Sequence, residues 1–333
     1  MEKVLVTGGA GFIGSHVVED LVTMGYHVVA LDDLSGGFER NIAKGVKFVK
    51  LDICDYKSLA ELFEIEKFDY IFHLAAYAAE GLSHFIRRFN YNNNLLGSVN
   101  LINLSVIYKV KRFVFTSSIA VYGSNQLPFS EGTVPQPEDP YGIAKYAVEL
   151  DLRAAHEMFG LDYTIFRPHN VYGERQNIAD KYRNVIGIFM NNILGGKELP
   201  IFGDGNQTRA FTYIKNVSRP IAASISRVSC LNQVYNIGAD KPYTINELVN
   251  VISEKLGKEL KVKYYPARNE VVHAYSSHEK ANLEFQNEID AISLEDGIEL
   301  MARDALKNNY EKTLNFSGIE ISENLPSAWS EDK

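Results

Sequence analysis

The stretch VLVTGGAGFIGSH, residues 4–16, leaves the chain few folds to choose from. An apolar, β-branched run stops at a glycine pair, and an apolar pattern with helical spacing resumes within a few residues. A strand that turns this sharply into a helix is the opening of a βαβ unit. The rhythm then continues. KVLVTG, HVVALDD, VKFVKLDI, YIFHLAA and RFVFTSS have the composition of strands, and GSHVVEDLVTMG, SLAELFEIE and NNNLLGSVNLINLSVIY have the spacing of helices. The strands are apolar almost throughout instead of alternating, as a sheet covered on both faces requires. The prediction is an α/β fold with a doubly wound parallel sheet.

After Gly173 the pattern changes. VIGIFMNNILGG keeps helical spacing, but LPIFGDGNQTRAFTYI has the composition of loops and short strands. TINELVNVISEKLG is predicted to be a capped helix, with Thr244 at the N-cap and Glu247 three residues on. The expected organisation is a nucleotide-binding domain over 1–173, its sheet completed by later segments, and a smaller mixed α/β substrate lobe over 174–320. A polar, loosely held tail is expected over 321–333.

Bulk properties exclude several classes. A net charge of −8 argues against nucleic acid or an anionic membrane as the main partner. No apolar run approaches the roughly 18 residues of a membrane span, and MEKVLV is unlike a secretory leader, so the cytoplasm is the expected location. Cys54 and Cys230 lack paired spacing, which predicts neither a disulfide framework nor a metal site.

Gly8, Gly11 and Gly14 each have a physical task in such a turn. The first permits the tight bend, the second lets backbone approach a pyrophosphate, and the third seats the helix close against the strand. The helix N-terminus then presents N–H groups to the anion. Asp32 ends the second strand about twenty residues later, where a carboxylate accepts both hydroxyls of an adenosine ribose and repels a 2′-phosphate. No arginine directly follows that strand. The expectation is a Rossmann-type fold with NAD as cofactor.

The chemical signal follows in TSSIAVYG and PYGIAK. Tyr141 and Lys145 are four apart, so a helix places both on one face. A phenol near its ordinary pKa of about 10 is a poor base at neutral pH, but a neighbouring ammonium stabilises the phenolate. Tyr141 is thus a candidate base for a hydroxyl proton, with Lys145 beside it and Ser118, at a strand end, bonding the same oxygen.

These motifs resemble the extended short-chain dehydrogenase/reductase family, in its nucleotide-sugar epimerase and dehydratase branch. The resemblance implies that Gly8, Gly11, Phe12 and Ile13 hold the cofactor pyrophosphate, and that DDLSGG brings Asp32, Asp33, Leu34, Ser35 and Gly36 to the ribose and phosphate. It implies Asp52 and Ile53 at adenine, Leu74, Ala75 and Ala76 beneath the cofactor, and Asn93, Tyr141, Lys145 and Pro168 also in contact with it. It implies catalytic roles for Ser118, Tyr141 and Lys145. The substrate is implied to be a nucleotide-sugar, a UDP-sugar first, held by Ser83, Ser118, Asn170, Asn184, Val185, Ile201, Phe202, Arg209, Arg268 and Glu270. Fixed guanidinium forks such as those of Arg209 and Arg268 suit phosphate oxygens.

Dehydratases of the branch carry an aspartate–glutamate pair directly after the serine strand. Here Ile119 and Ala120 stand there, neither of which titrates. The expectation is therefore an epimerase, of UDP-glucose/UDP-galactose type at C4. An epimerase acting at another carbon or on another nucleotide-sugar stays open, because AAYAAEGLSHFIRRF (75–89) departs from ordinary 4-epimerases. A non-catalytic NAD-binding sensor is the alternative of a different class. The position that gates N-acetylated sugars is Ala274 or Tyr275, depending on the direction of counting. A homodimer is implied, through the helices after residues 92 and 141, whose apolar stripes are compatible with it.

Overall fold

The computed structural model describes residues 1–124, 127–180, 182, 184–257, 259–267, 273–274, 276–308, 318–326 and 329. Seven strands, β1 (Lys3–Thr7), β2 (His27–Asp32), β3 (Lys47–Lys50), β4 (Tyr70–His73), β5 (Arg112–Thr116), β6 (Tyr163–Pro168) and β7 (Gln233–Ile237), form one sheet. Every neighbouring pair is parallel, in the order β7-β6-β5-β4-β1-β2-β3. This is the doubly wound Rossmann arrangement. The last strand comes from the later half of the chain.

Register explains why these strands do not alternate in polarity. Leu5 pairs with Val29 and Ile71, and Ile71 with Phe113. These four side chains bury against α2 (Tyr56–Glu66), α3 (Gly97–Ile107) and α4 (Pro140–Phe159). Their neighbours Val4, Val6, Ala30, Phe72 and Val114 point to the opposite face and bury against α1 (Phe12–Thr23). Each face is apolar because each is covered.

The second core runs on without a break into the later segments. It includes residues of α5 (Val185–Leu194), α6 (Lys215–Ala223), α7 (Ile245–Leu256) and α8 (Leu294–Asn308). Short strands complete this smaller lobe. Leu199–Phe202 pairs with Val262–Tyr265, and Thr208–Ala210 lies between Pro242–Thr244 and His273–Ala274. The predicted cap of α7 forms: Glu247 N donates to Thr244 Oγ1 at 3.0 Å, and Thr244 N donates to Glu247 Oε2 at 2.7 Å.

Two segments differ from the sequence expectation. The helix predicted near residue 92 begins at Arg87 and carries one wide turn over Asn92–Leu96 before α3. The chain is held at Glu320, directly before the predicted tail, and at Trp329 within it. The Glu320 carboxylate accepts from the N–H groups of Arg88 and Phe89, both at 2.8 Å, and Trp329 packs edge-on to Phe85 and Tyr182. A polar composition concealed one carboxylate that caps a helix start and one aromatic anchor.

Candidate active site

Strand order reverses between β1 and β4, and a cleft of about 2280 Å³ opens beyond the carboxyl ends of the strands. The glycine turn forms its floor. Gly8 has φ +69°, and a Cβ there would sit 2.7 Å from Ala75 N. A Cβ on Gly14 would land 2.0 Å from the Gly8 carbonyl oxygen. Only hydrogen fits at either place. Helix α1 follows with Gly11 at its N-cap, no side-chain cap and no acid in the first turn. That leaves a helix start suited to an anion, with Gly11, Phe12, Ile13 and Gly14 in the cleft wall.

Most residues expected to meet the adenosine of the cofactor line the same cleft. The Asp32 carboxylate, at the end of β2, accepts from Ala10 N at 3.1 Å and Leu34 N at 2.8 Å. Burial pushes its pKa up against the effect of these bonds, and the carboxylate keeps lone pairs that can accept further hydrogen bonds. Asp33 folds onto Ser35, accepting from its N–H at 2.8 Å and its hydroxyl at 2.6 Å. Asp33, Ser35, Gly36, Asp52, Ile53, Leu74, Ala75 and Ala76 all line the cleft. Leu34 does not. Its contribution is the N–H that holds Asp32, made possible by a left-handed φ of 65°.

The three asparagines divide their work across the wide turn. Asn93 lines the cleft and donates to Asn94 Oδ1 at 3.2 Å. Asn94 is buried behind it, accepting from Tyr77 N at 2.9 Å and donating to Tyr77 O at 3.1 Å. The extra residue of a π turn aims the first at the ligand space while the second pins the strand exit.

Ser118, Tyr141 and Lys145 share the cleft wall with Ile119, Ala120 and Pro168. Asp139 caps α4 by accepting from Gly142 N at 2.9 Å, and Pro140 occupies the first turn, so Tyr141 sits at the helix start. One helical turn on, Lys145 is buried. Its Nζ donates to Thr116 O at 2.8 Å and lies 5.8 Å from the centre of the Tyr141 ring. Burial pushes the ammonium down to about 7, opposed by the charge of Glu149.

Another turn on, Glu149 begins a buried network that sequence reasoning missed. It forms a two-pronged ion pair with Arg167 and accepts from Ser117 Oγ at 2.6 Å. Arg167 also donates to the Tyr122 hydroxyl at 2.6 Å, which donates to Asn236 at 2.8 Å. The ends of β5, β6 and β7 are thereby tied to the helix that carries Tyr141. The four-residue spacing of Tyr141, Lys145 and Glu149 was the available signal.

On the substrate side, Asn170, Asn184, Val185, Ile201, Phe202 and Arg209 line the cleft. Asn184 caps α5, accepting from Ile186 N at 2.9 Å and donating to Val171 O at 2.9 Å. Ser83 is placed elsewhere: it is buried behind the wall, its hydroxyl donating to Glu80 O at 2.6 Å and to Asp139 Oδ1 at 3.3 Å. Its task is to brace the start of α4. Arg268, Glu270 and Tyr275 lie outside the described residues. Ala274 stands in register with Arg209. Also missed was His169, which lines the cleft with its Nε2 2.8 Å from His278 Nε2, while His278 Nδ1 lies 2.6 Å from Asp240.

The NAD-dependent epimerase/dehydratase family pattern matches residues 4–238. A putative UDP-glucose 4-epimerase of Methanocaldococcus jannaschii is 37% identical over 310 residues, covering 92% of this chain and 99% of that protein. The structure of the Thermotoga maritima UDP-glucose 4-epimerase with UDP-glucose is 36% identical, with a TM-score of 0.85 over 92% of this chain and 99% of that one. The UDP-glucuronic acid 4-epimerase of Bacillus cereus, solved with UDP-glucuronic acid and NAD, is 28% identical, with a TM-score of 0.83 over 92% and 99%. With a glycine turn, Asp32 and a tyrosine–lysine pair in one cleft, the chain belongs to the NAD-dependent epimerase/dehydratase family, as an enzyme of nucleotide-sugar epimerase type that uses NAD.

Proposed function

We propose that the protein interconverts UDP-hexoses at C4, of the UDP-glucose/UDP-galactose kind, through a 4-keto sugar. The observation that carries this is the cleft wall itself. Ser118, Tyr141 and Lys145 stand there together, while the two positions after the serine hold Ile119 and Ala120. A second acid/base pair, needed to remove a further ring proton and expel water, is absent from those two places. Reversible oxidation at one carbon needs no such pair.

Bound NAD supplies the hydride acceptor and donor. Tyr141 takes the proton of the C4 hydroxyl and returns it after the keto sugar has turned its other face. Lys145, fixed by its bond to Thr116 O, keeps positive charge beside the phenol and favours its ionised form. Ser118, whose Oγ accepts from Ala120 N at 3.1 Å, has its hydroxyl proton to give to the same sugar oxygen. Arg209, a described guanidinium in the cleft wall, is suited to the diphosphate.

The functional unit we infer is a homodimer. Helices α3 and α4 expose Ile107, Ile143, Leu150, Met158 and Phe159, which supports a helical interface between copies. No described helix is long and apolar enough to cross a membrane. Conversion of UDP-galactose to UDP-glucose, followed by NMR, tests the activity. Inactivity across UDP-hexoses, N-acetylhexosamines and hexuronates overturns it.

A further inference from the structure

The unusual segment after β4 and the C-terminal tail are one construction. Beyond the two bonds to its carboxylate, Glu320 donates its own N–H to Phe85 O at 2.8 Å, and Ile321 N donates to the same oxygen at 3.2 Å. Tyr77, Leu82 and Ile86 form a small apolar core joined by Phe85, Phe89, Tyr182, Ile319 and Trp329. The Trp329 ring stands edge-on to Tyr182 at 5.2 Å and to Phe85 at 6.1 Å.

Its position relative to the chemistry follows from a chain of contacts. A Cβ built on Gly81 would lie 3.4 Å from Trp329 Cη2. Two residues on, Ser83 bonds Asp139, the cap of the helix that presents Tyr141. Asn324, Pro326 and Trp329 line the same cleft as Glu80, His84 and Tyr141. The tail therefore closes the cleft at its catalytic end, opposite Asp32.

We infer that residues 318–326 and Trp329 form a wall of the sugar pocket, with Trp329 as the surface against which the hexose ring of the nucleotide-sugar is seated. This rests on the nucleotide-sugar reading above. A large, rigid aromatic face suits the C–H face of a pyranose, and its neighbours Phe85 and Tyr182 limit its freedom before any ligand arrives. Trp329 is a positioning residue, since the proton and hydride steps belong to groups elsewhere.

The chain has one tryptophan, so emission excited selectively for tryptophan over the 19 tyrosines reads this site alone. Titrating the NAD-loaded protein with UDP-glucose is expected to change Trp329 emission, and titrating with UDP is expected to leave it nearly constant. Trp329→Ala is expected to raise KM for the nucleotide-sugar about tenfold, with kcat and the inhibition constant of UDP little changed, and Trp329→Phe to restore most of the loss. Emission indifferent to the sugar, in a protein that turns UDP-hexoses over, overturns the inference and leaves the activity standing. An emission response to nucleotide-sugars without turnover supports the wall and overturns the activity. If neither nucleotide-sugar binding nor an emission change is found, both fall. Should Trp329→Ala fail to fold, the emission of the unaltered chain decides alone.

Discussion

The two ends of the cleft are built by different rules. The nucleotide end is made largely of backbone: a glycine turn where a Cβ has no room, an uncapped helix start, and an aspartate held by two amides. Its parts come from neighbouring βα units of the first third of the chain. The end proposed for catalysis and the sugar is made of side chains drawn from the strand exit at Tyr77, the start of α4, Tyr182 and the tail. Glu320 reaches Arg88 across 232 positions of sequence. A site fixed by backbone tolerates little change, while a site assembled from distant side chains lets the ligand vary under a constant cofactor.

Three changes break or sharpen that contrast. A large effect, on both folding and cofactor affinity, is expected at the backbone end. Gly14→Ala drives a methyl group into the Gly8 carbonyl oxygen, and overpacking of about 3 kcal/mol corresponds to roughly 100-fold weaker NAD binding together with a lower melting temperature. Fluorescence titration with NADH measures it, and unaltered affinity would mean the turn is not the cofactor seat. At the catalytic end, Tyr141→Phe is expected to lower kcat by about 10²–10⁴-fold while cofactor affinity stays within a small factor. Near-normal turnover in that variant would remove Tyr141 from the mechanism.

The smallest effect is a pH dependence of stability at the catalytic end. In the cofactor-free protein, burial holds Lys145 down to about 7, from an ordinary 10.5. Between those values the folded chain binds fewer protons than the unfolded one, so the cost of burying the cation is full below about pH 7 and is relieved as pH rises through it. Lys145→Met removes the cation. Its stability relative to the native chain should therefore be most favourable near about pH 6 and decline toward about pH 9, read from urea midpoints. A pH-independent difference would place the lysine in a more solvated setting than the geometry gives it.

The sequence made the fold and the glycine turn legible for a shared reason. Apolar strands, the helix spacing and the glycine turn are local patterns, and their physical demands act within a few residues. The capped start of α7 was visible in the same way. The placements of Leu34 and Ser83 were not, because each acts through a bond that spacing does not encode: an amide turned toward Asp32, and a hydroxyl turned toward Asp139. The His169–His278 contact joins residues 109 positions apart. The tail failed for the opposite reason from the core. Its composition is that of a solvated end, and a single tryptophan and a single glutamate hold it down.

The central claim is that the hydrogen on C4 would pass as hydride to bound NAD and return to the same carbon, while Tyr141 takes and returns only the proton of the C4 hydroxyl. UDP-galactose carrying deuterium at C4 tests this directly in ordinary water. The expected product is UDP-glucose with the deuterium retained at C4, seen by NMR and mass. Loss of the label, its appearance at another carbon, or an unconverted substrate with cofactor bound would contradict it.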